Sequence, residues 1–188
     1  MDAGVKNHKI DETVDGRKVR LRPFAAEDAA ALAEAAESSA SQLKRRFAWA
    51  AEAPYDAGAF VRRAQERAPT GVFVVVEPKG DRFAGVASVA EEDPGSGRMR
   101  LSGWIRSDRA GRGLATEAGL LLVDHAFKRL GAHRVYARID PANRAGRRVI
   151  RKLGFRYEGC LREDKRLNGR WVDQECWGIL KKEWKSRP

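Results

Sequence analysis

Apolar and polar positions along this 188-residue chain change period several times, and each change marks an element. Val19 and Leu21 alternate with basic residues between Lys18 and Pro23, a period of two that predicts a short strand stopped by Pro23. Ala25 to Glu37 is alanine-rich and predicts a helix, broken by Ser38 to Ser41; Phe47 and Trp49 follow, near a turn at Pro54. From Asp56 to Ala68, Phe60, Val61 and Ala64 share one helical face, with Arg62, Arg63 and Arg67 on the other. Gly71 to Pro78 is a β-branched and aromatic run that reads as a buried strand. Phe83 to Asp93 is its hairpin partner across Lys-Gly-Asp-Arg, and Asp-Pro-Gly-Ser-Gly turns the chain into a third strand, RMRLSGWIRS.

The sharpest change lies between Leu101 and Leu130. A strand ends near Ile105, a loop carries Gly111 and Gly113, and a helix follows with Leu122, Val123, Ala126, Phe127 and Leu130 on its apolar face, closed by Gly131. His133 to Asp140 is again a strand, so the strand–helix–strand unit predicts a parallel pair joined by a crossover. PANRAGRRVIRKLG predicts a short helix with Asn143 as N-cap and Val149, Ile150 and Leu153 buried. Two long strands around Asn168-Gly169 close the chain as a hairpin. The order β-α-α-β-β-β-α-β-α-β-β predicts an α/β (α+β) fold: a mixed, mainly antiparallel sheet of about seven strands with flanking helices. Residues 1–15 read as a loose tail and residues 16–188 as one domain.

Composition narrows the partners. A chain that is 43% hydrophobic and 34% charged can bury a core without staples, and its formal net charge of +11 favours anionic partners. A phosphorylated cofactor, nucleic acid or a ribosome-like surface would satisfy that charge; so would an arginine-rich solvated surface with no partner. No window approaches the ~20 apolar residues of a membrane span, and the first residues lack an apolar signal core, so a cytoplasmic protein is expected. Cys160 and Cys176 fit no metal spacing and read as reduced core residues, with no metal expected.

Gly111 and Gly113, set just ahead of a helix, let backbone N–H groups converge on one concavity. The helix N-terminus adds its positive dipole end, and Arg109 and Arg112 add full charges, an arrangement suited to a phosphate or pyrophosphate. A P-loop is excluded because Leu114 and Ala115 stand where Lys and Ser/Thr are needed. A dinucleotide fingerprint is excluded by Thr116 at its third glycine position, and by the loop's place after an antiparallel meander.

RAGRGLATEA resembles the acetyl-CoA pyrophosphate loop of the GNAT superfamily of N-acetyltransferases, whose pattern is Gln/Arg-x-x-Gly-x-Gly/Ala. The pattern falls on Ala110, Gly111, Arg112, Gly113, Leu114 and Ala115, with Ala110 departing and Arg109 one residue earlier. NRAGRRVIRKLGF resembles the second cofactor helix of that family. GFRYEGCLRE with LNGRWVDQECWGIL resembles the Rim-type branch, which acetylates ribosomal-protein N-termini; Trp104, the pair Phe47 and Trp49, and Glu183-Trp184 agree with it. The likeness runs from about Arg17 to Trp184. It implies a GNAT fold in which the strand through Trp104, Ile105 and Arg106 splays from the strand Arg134 to Asp140, leaving backbone to pair with pantetheine amides. It further implies a pyrophosphate on Gly111 to Thr116 and a pantetheine contact at Asn143. Arg147, Arg148 and Arg151 either meet the nucleotide phosphates or form a solvated basic face.

The implied cofactor is acetyl-CoA, and the implied reaction is acetyl transfer to a primary amine by direct attack in a ternary complex. The acceptor would be a protein N-terminus, such as that of a ribosomal protein, or a small amine; a homodimer and nucleic-acid contact through the basic surface are both admitted. The alternative is an acyl-CoA-binding, RNA- or ribosome-associated module with weak or no transferase activity.

The chemistry needs a neutral amine, a polarised thioester carbonyl and a leaving thiolate. A backbone N–H on the splayed strand can serve the oxyanion. A carboxylate acting through water can serve as base, because an α-amine with a pKa of about 8 is only partly protonated at neutral pH. Glu91 and Glu92, with Asp93 beside them, are base candidates at the end of a hairpin strand, and Asn143 is a further catalytic candidate. Lys165 stands where the Rim branch has its Glu, and alternation places Glu163 on the same face. The branch's Ser is here Gly146 and the Tyr of other members is Ile150, so neither usual proton donor is present. Phe47, Trp49 and Tyr55 line the acceptor entrance or form a satellite core. His125 and His133 read as surface or packing residues, Trp171 and Trp177 as cross-strand packing, and Asp173 as structural.

Overall fold

The computed structural model describes residues 13–50, 55–66, 71–93 and 95–185. At its centre is an eight-stranded sheet in the order β1-β2-β3-β4-β5-β6-β8-β7. The strands are β1 Val14–Asp15, β2 Arg20–Pro23, β3 Gly71–Glu77, β4 Arg82–Glu91, β5 Arg98–Ile105, β6 Arg134–Ile139, β7 Arg156–Leu167 and β8 Arg170–Leu180. Neighbours are antiparallel throughout except β5 and β6. The helices are α1 Asp28–Ser38, α2 Ala40–Lys44, α3 Ala57–Glu66, α4 Leu114–Lys128 and α5 Arg144–Lys152.

The run of apolar residues in β3 is explained by burial on both faces. Phe73 and Val75 enter a core with Leu122, Val123, Ala126 and Phe127 of α4 and Ile150 of α5. Val74 and Val76 enter a second core with Leu32 and Ala35 of α1 and Val61 of α3. A strand covered on both sides loses the polar alternation of a half-solvated one. α1 is anchored by Asp28, whose carboxylate takes two hydrogen bonds of 2.7 Å from Arg22 and one of 2.8 Å from the Ala25 N–H.

The predicted elements are present, with four corrections. Val14 and Asp15, placed in the tail, form β1 against Leu21 and Arg20, which adds an eighth strand. The break expected over Ser38 to Ser41 narrows to Ser39, since α1 runs to Ser38 and Ala40–Lys44 makes a further helical turn. Alternation fails in β7, where the register slips between Leu161 and Lys165; Glu163 has φ 52°, and its N–H donates to Asp173 at 2.9 Å. Glu163 therefore does not share a face with Lys165 by simple alternation, and Asp173 pins the bulge. Trp177 is buried as expected, but Trp171 is 60% exposed, because β8 meets β6 only from Glu175 onward and the rest of the hairpin projects past the sheet, and Cys160 is exposed on the edge strand β7. Residues 1–12 of the expected tail, Pro54, Arg67, Ala68 and Pro94 lie outside the described residues.

Candidate active site

β5 and β6 touch along only three residue pairs, Arg98–Arg134, Met99–Val135 and Arg100–Tyr136. Beyond them Leu101 to Ile105 pair with β4 alone, and Ala137 to Ile139 with β8 alone. Two facing strand edges are thus left open, each presenting alternate N–H and C=O groups to the gap. This is the splay expected through Trp104, Ile105 and Arg106. Trp104 itself stacks toward Phe83 (ring centroids 6.4 Å apart) in the second core. The Ile105 carbonyl accepts from Gln42 Nε2 at 3.2 Å. The Arg106 guanidinium is committed elsewhere, to both oxygens of Glu34 at 2.9 Å and to Asp108 at 2.7 Å, so its side chain ties α1 to this edge.

The gap opens at its far end onto the glycine turn. Ser107–Arg109 make one 3-10 turn, Gly111 and Gly113 take φ 81° and 85°, and α4 begins. That left-handed backbone is why both positions are glycine: a side chain there is strained, and a Cβ on Gly113 would lie 3.3 Å from Lys18 Nζ. The first in-helix hydrogen bond is from Glu117 N–H to the Gly113 carbonyl at 3.1 Å, which leaves the N–H groups of Leu114, Ala115 and Thr116 without helical acceptors. Arg109 and Arg112 approach Glu77 at 3.6 and 3.8 Å, and Lys18 Nζ donates to the Arg112 carbonyl at 3.3 Å. Glu77 and Lys18 were not legible as partners of the loop, since β2 and β3 reach it only through the folded sheet.

On the same side, Asn143 caps α5 by accepting from the Gly146 N–H at 3.0 Å. A Cβ at Gly146 would sit 2.6 Å from Asn143 Nδ2, and Ile150 is 3% exposed in the core. The two positions where the resemblance would place proton donors are therefore spent on capping and packing. Arg147 lies 3.0 Å from the buried Glu175 carboxylate, which also accepts from Trp177 Nε1 at 2.9 Å. Arg151 covers the Trp177 ring at 5.3 Å. Among the described residues Arg148 makes no such ion pair or ring contact, and Arg144, Arg148 and Arg151 are all exposed along α5.

The opposite face separates the two acidic candidates. Glu91 accepts from the Gly97 N–H at 2.9 Å and serves the β4–β5 turn. Glu92 turns to the splay: Arg100 Nε meets one oxygen at 2.9 Å, and the Tyr136 hydroxyl donates to the other. Burial, and then the bond to Glu92, push the Tyr136 phenol up from its ordinary value and keep it protonated. Arg100 and Tyr136 are the last parallel pair, so this group stands at the fork. Tyr136 had no signal of its own; finding it requires the register. Phe47, Trp49 and Tyr55 form one aromatic chain with centroids 5.7 and 4.7 Å apart, continued by Phe60 to the second core. Burial raises the Tyr55 phenol to about 12. The β7–β8 hairpin closes this side, with Lys165 Nζ donating to the Arg46 carbonyl at 2.7 Å and Asn168 Nδ2 to the Lys44 carbonyl at 2.9 Å.

The model of the GNAT acetyltransferase domain matches residues 18–156. This chain belongs to the GNAT acetyltransferase family. Over 110 residues this GNAT protein is 36% identical to Probable N-acetyltransferase YjcK of Bacillus subtilis, covering 57% of its own chain and 60% of that protein. Over 97 residues it is 33% identical to the Spermidine N(1)-acetyltransferase of Escherichia coli K12, covering 52% of each. It thus spans about three-fifths or less of the length of these relatives. In fold it is similar to Mycobacterium smegmatis RimJ in complex with CoA-disulfide, with a TM-score of 0.82, 24% identity, and coverage of 93% and 90% of the two chains. Among the described residues no helix is long and apolar enough to cross a membrane.

Proposed function

We propose that this GNAT protein transfers an acetyl group from acetyl-CoA to a primary amine in the cytoplasm, in the manner of the Rim-type branch. The observation that carries the reading is the open β5–β6 gap leading to the two left-handed glycines and the free N–H groups of α4. The residues fit a cosubstrate with a pyrophosphate and an amide-bearing arm. Backbone N–H groups of Gly111 to Thr116 would hold the pyrophosphate, with Lys18, Arg109 and Arg112 adding charge. The edges of Leu101–Ile105 and Ala137–Ile139 would pair with the arm as an added strand. The cosubstrate supplies the activated acyl group.

Glu92 takes the role of base, directly or through a water, and Tyr136 and Arg100 orient it. The neutral amine attacks the thioester carbonyl carbon; the C–N bond forms as the C–S bond breaks, and the electron pair leaves on sulfur. The nitrogen sheds a proton toward Glu92, and sulfur takes one from solvent, giving an amide and a thiol. A thiol with a pKa of about 8.5 leaves without a dedicated acid, which suits a chain with Gly146 and Ile150 in the donor positions. Tyr136 is a poor substitute acid, because its ionised form would face the Glu92 carboxylate. A backbone N–H of β5 facing the gap supplies the oxyanion donor.

Gly146 and Ile150 also favour a second reading, an acyl-CoA-binding module with weak transfer. Calorimetry with acetyl-CoA and thiol release with a mixed panel of amines and N-terminal peptides separate the two. Binding with steady thiol release supports transfer; binding with no release on any acceptor supports the module.

A further inference from the structure

The two arginines beside the glycine turn already share an anion of the chain's own. Glu77 ends β3 there, with Arg109 Nη1 3.6 Å from its Oε2 and Arg112 Nη1 3.8 Å from its Oε1. Charge is paired, but no hydrogen bond is made: Glu77 Oε2 and Arg109 Nε are buried atoms without a hydrogen-bond partner among the described residues. Two other ion pairs show what a carboxylate that orients an arginine looks like in this fold. Arg22 gives Asp28 two hydrogen bonds of 2.7 Å, and Arg106 gives Glu34 two of 2.9 Å.

The other acids near the turn are engaged. Asp108 lies 3.7 Å from Arg109 Nε but accepts from Arg106 at 2.7 Å, and Glu117 accepts from the Lys18 main-chain N–H at 2.8 Å. Glu77 and Arg112 line one cavity of about 360 Å³ with Arg17, Lys18, Lys79 and Leu114, the first residue of α4. The carboxylate thus stands in the concavity of the seat and not behind its cations. There it offsets their charge while the seat is empty, which a partly buried guanidinium needs. A phosphate oxygen offers both arginines the charge-assisted hydrogen bonds that Glu77 leaves unmade.

We propose that Glu77 is the resident counter-ion of the phosphate seat, displaced from Arg109 and Arg112 when a pyrophosphate enters. The inference rests on the cosubstrate reading of the seat and adds a specificity device to it. Glu77 weakens the hold on any anion by a similar factor. Free phosphate or pyrophosphate has little else to bind with, whereas coenzyme A keeps the pairing of its arm along β5 and β6. The same repulsion hastens the departure of coenzyme A after transfer.

Glu77→Gln removes the charge and keeps the shape. Calorimetry on parent and variant with inorganic pyrophosphate, coenzyme A and pantetheine gives Kd for each, with thermal melts alongside. The variant should bind pyrophosphate and coenzyme A about three- to thirtyfold more tightly, and pantetheine, which carries no phosphate, equally well. For coenzyme A the gain should fall mainly on a slower dissociation rate in a stopped-flow chase. Glu77→Met should act in the same direction, and decides the matter if the Gln variant folds poorly. Unchanged or weaker pyrophosphate binding overturns the proposal, as does a lowered Tm with all three ligands weakened alike, the mark of a structural or orienting role. Failure of coenzyme A to bind the parent overturns the cosubstrate reading instead, and the pyrophosphate comparison then still decides Glu77. Pyrophosphate binding by neither protein overturns both.

Discussion

Gly113→Ala probes the anion cradle with a single methyl group. At φ 85° an alanine is in the left-handed region, which costs about 1–2 kcal/mol, and its Cβ would crowd Lys18 Nζ at 3.3 Å, a contact a flexible side chain relieves. If the backbone keeps its shape, the cost falls on stability: Tm should drop by roughly 2–8 °C, at about 2–4 °C per kcal/mol for a domain of this size. If the turn relaxes toward negative φ, the N–H groups at the start of α4 are re-aimed and a charge-assisted hydrogen bond worth about 1.5–3 kcal/mol is lost. Coenzyme A should then bind roughly ten- to a hundredfold more weakly. Gly169→Ala is the control, since Gly169 has φ 79° with nothing within 4 Å of an added Cβ and lies in the β7–β8 turn. It should lower Tm by a similar amount and leave the affinity unchanged. Calorimetry and thermal melts on the three proteins decide. Coenzyme A affinity within twofold of the parent together with an unchanged Tm in Gly113→Ala would refute the reasoning, since the strain must appear either in stability or in the anion seat.

Three other outcomes are expected. Glu92→Gln should lower kcat/KM by about ten- to a hundredfold at pH 7 with coenzyme A affinity retained, whereas Glu91→Gln should act on stability; an unchanged rate for Glu92→Gln removes it as base. Burial pushes the Asp28 carboxyl up, but the Arg22 and Ala25 hydrogen bonds outweigh it and hold the group below its ordinary value. Its contribution is therefore complete above the unfolded carboxylate pKa of about 3.9 and fades as pH falls through the folded value. Asp28→Asn should cost about 3 kcal/mol in denaturant melts at pH 7 and progressively less below pH 4; a gap that widens toward acid refutes the sign. Glu175→Ala leaves Trp177 Nε1 and Arg147 without their anion and should cost about 2–3 kcal/mol, less than a fully buried pair because Arg147 is 34% exposed; a loss under 0.5 kcal/mol would show that the pair is idle.

The glycine turn was legible because its signal is local: two glycines, an arginine and a helix start stand within a few residues. The core of α4 was legible for the same reason, since Leu122, Val123, Ala126 and Phe127 follow one period and all are buried. What failed depends on distant partners. β1 is two residues long, and its pairing with β2 is helped by an Arg20–Asp15 ion pair. Trp171 looks like a packing residue until the hairpin is seen to outrun β6. The bulge at Glu163 needs Asp173 across the hairpin, and alternation cannot foresee it. Choosing Glu92 over Glu91 requires knowing that Arg100 lies opposite Tyr136, a register set by the crossover through α4.

The three-residue contact between β5 and β6 also bears on how the molecule comes together. Strands β1 to β5 and strands β6 to β8 each form by antiparallel neighbours close in sequence for the most part, whereas the seam between them must wait for α4 to cross over. The seam is therefore the late-closing and early-opening part of the sheet, and amides of Leu101–Ile105 and Ala137–Ile139 that face the gap should exchange with solvent far faster than those facing β4 and β8. A molecule laid along the gap becomes a ninth strand in all but covalent terms, so hydrogen exchange on those two edges would register its arrival residue by residue.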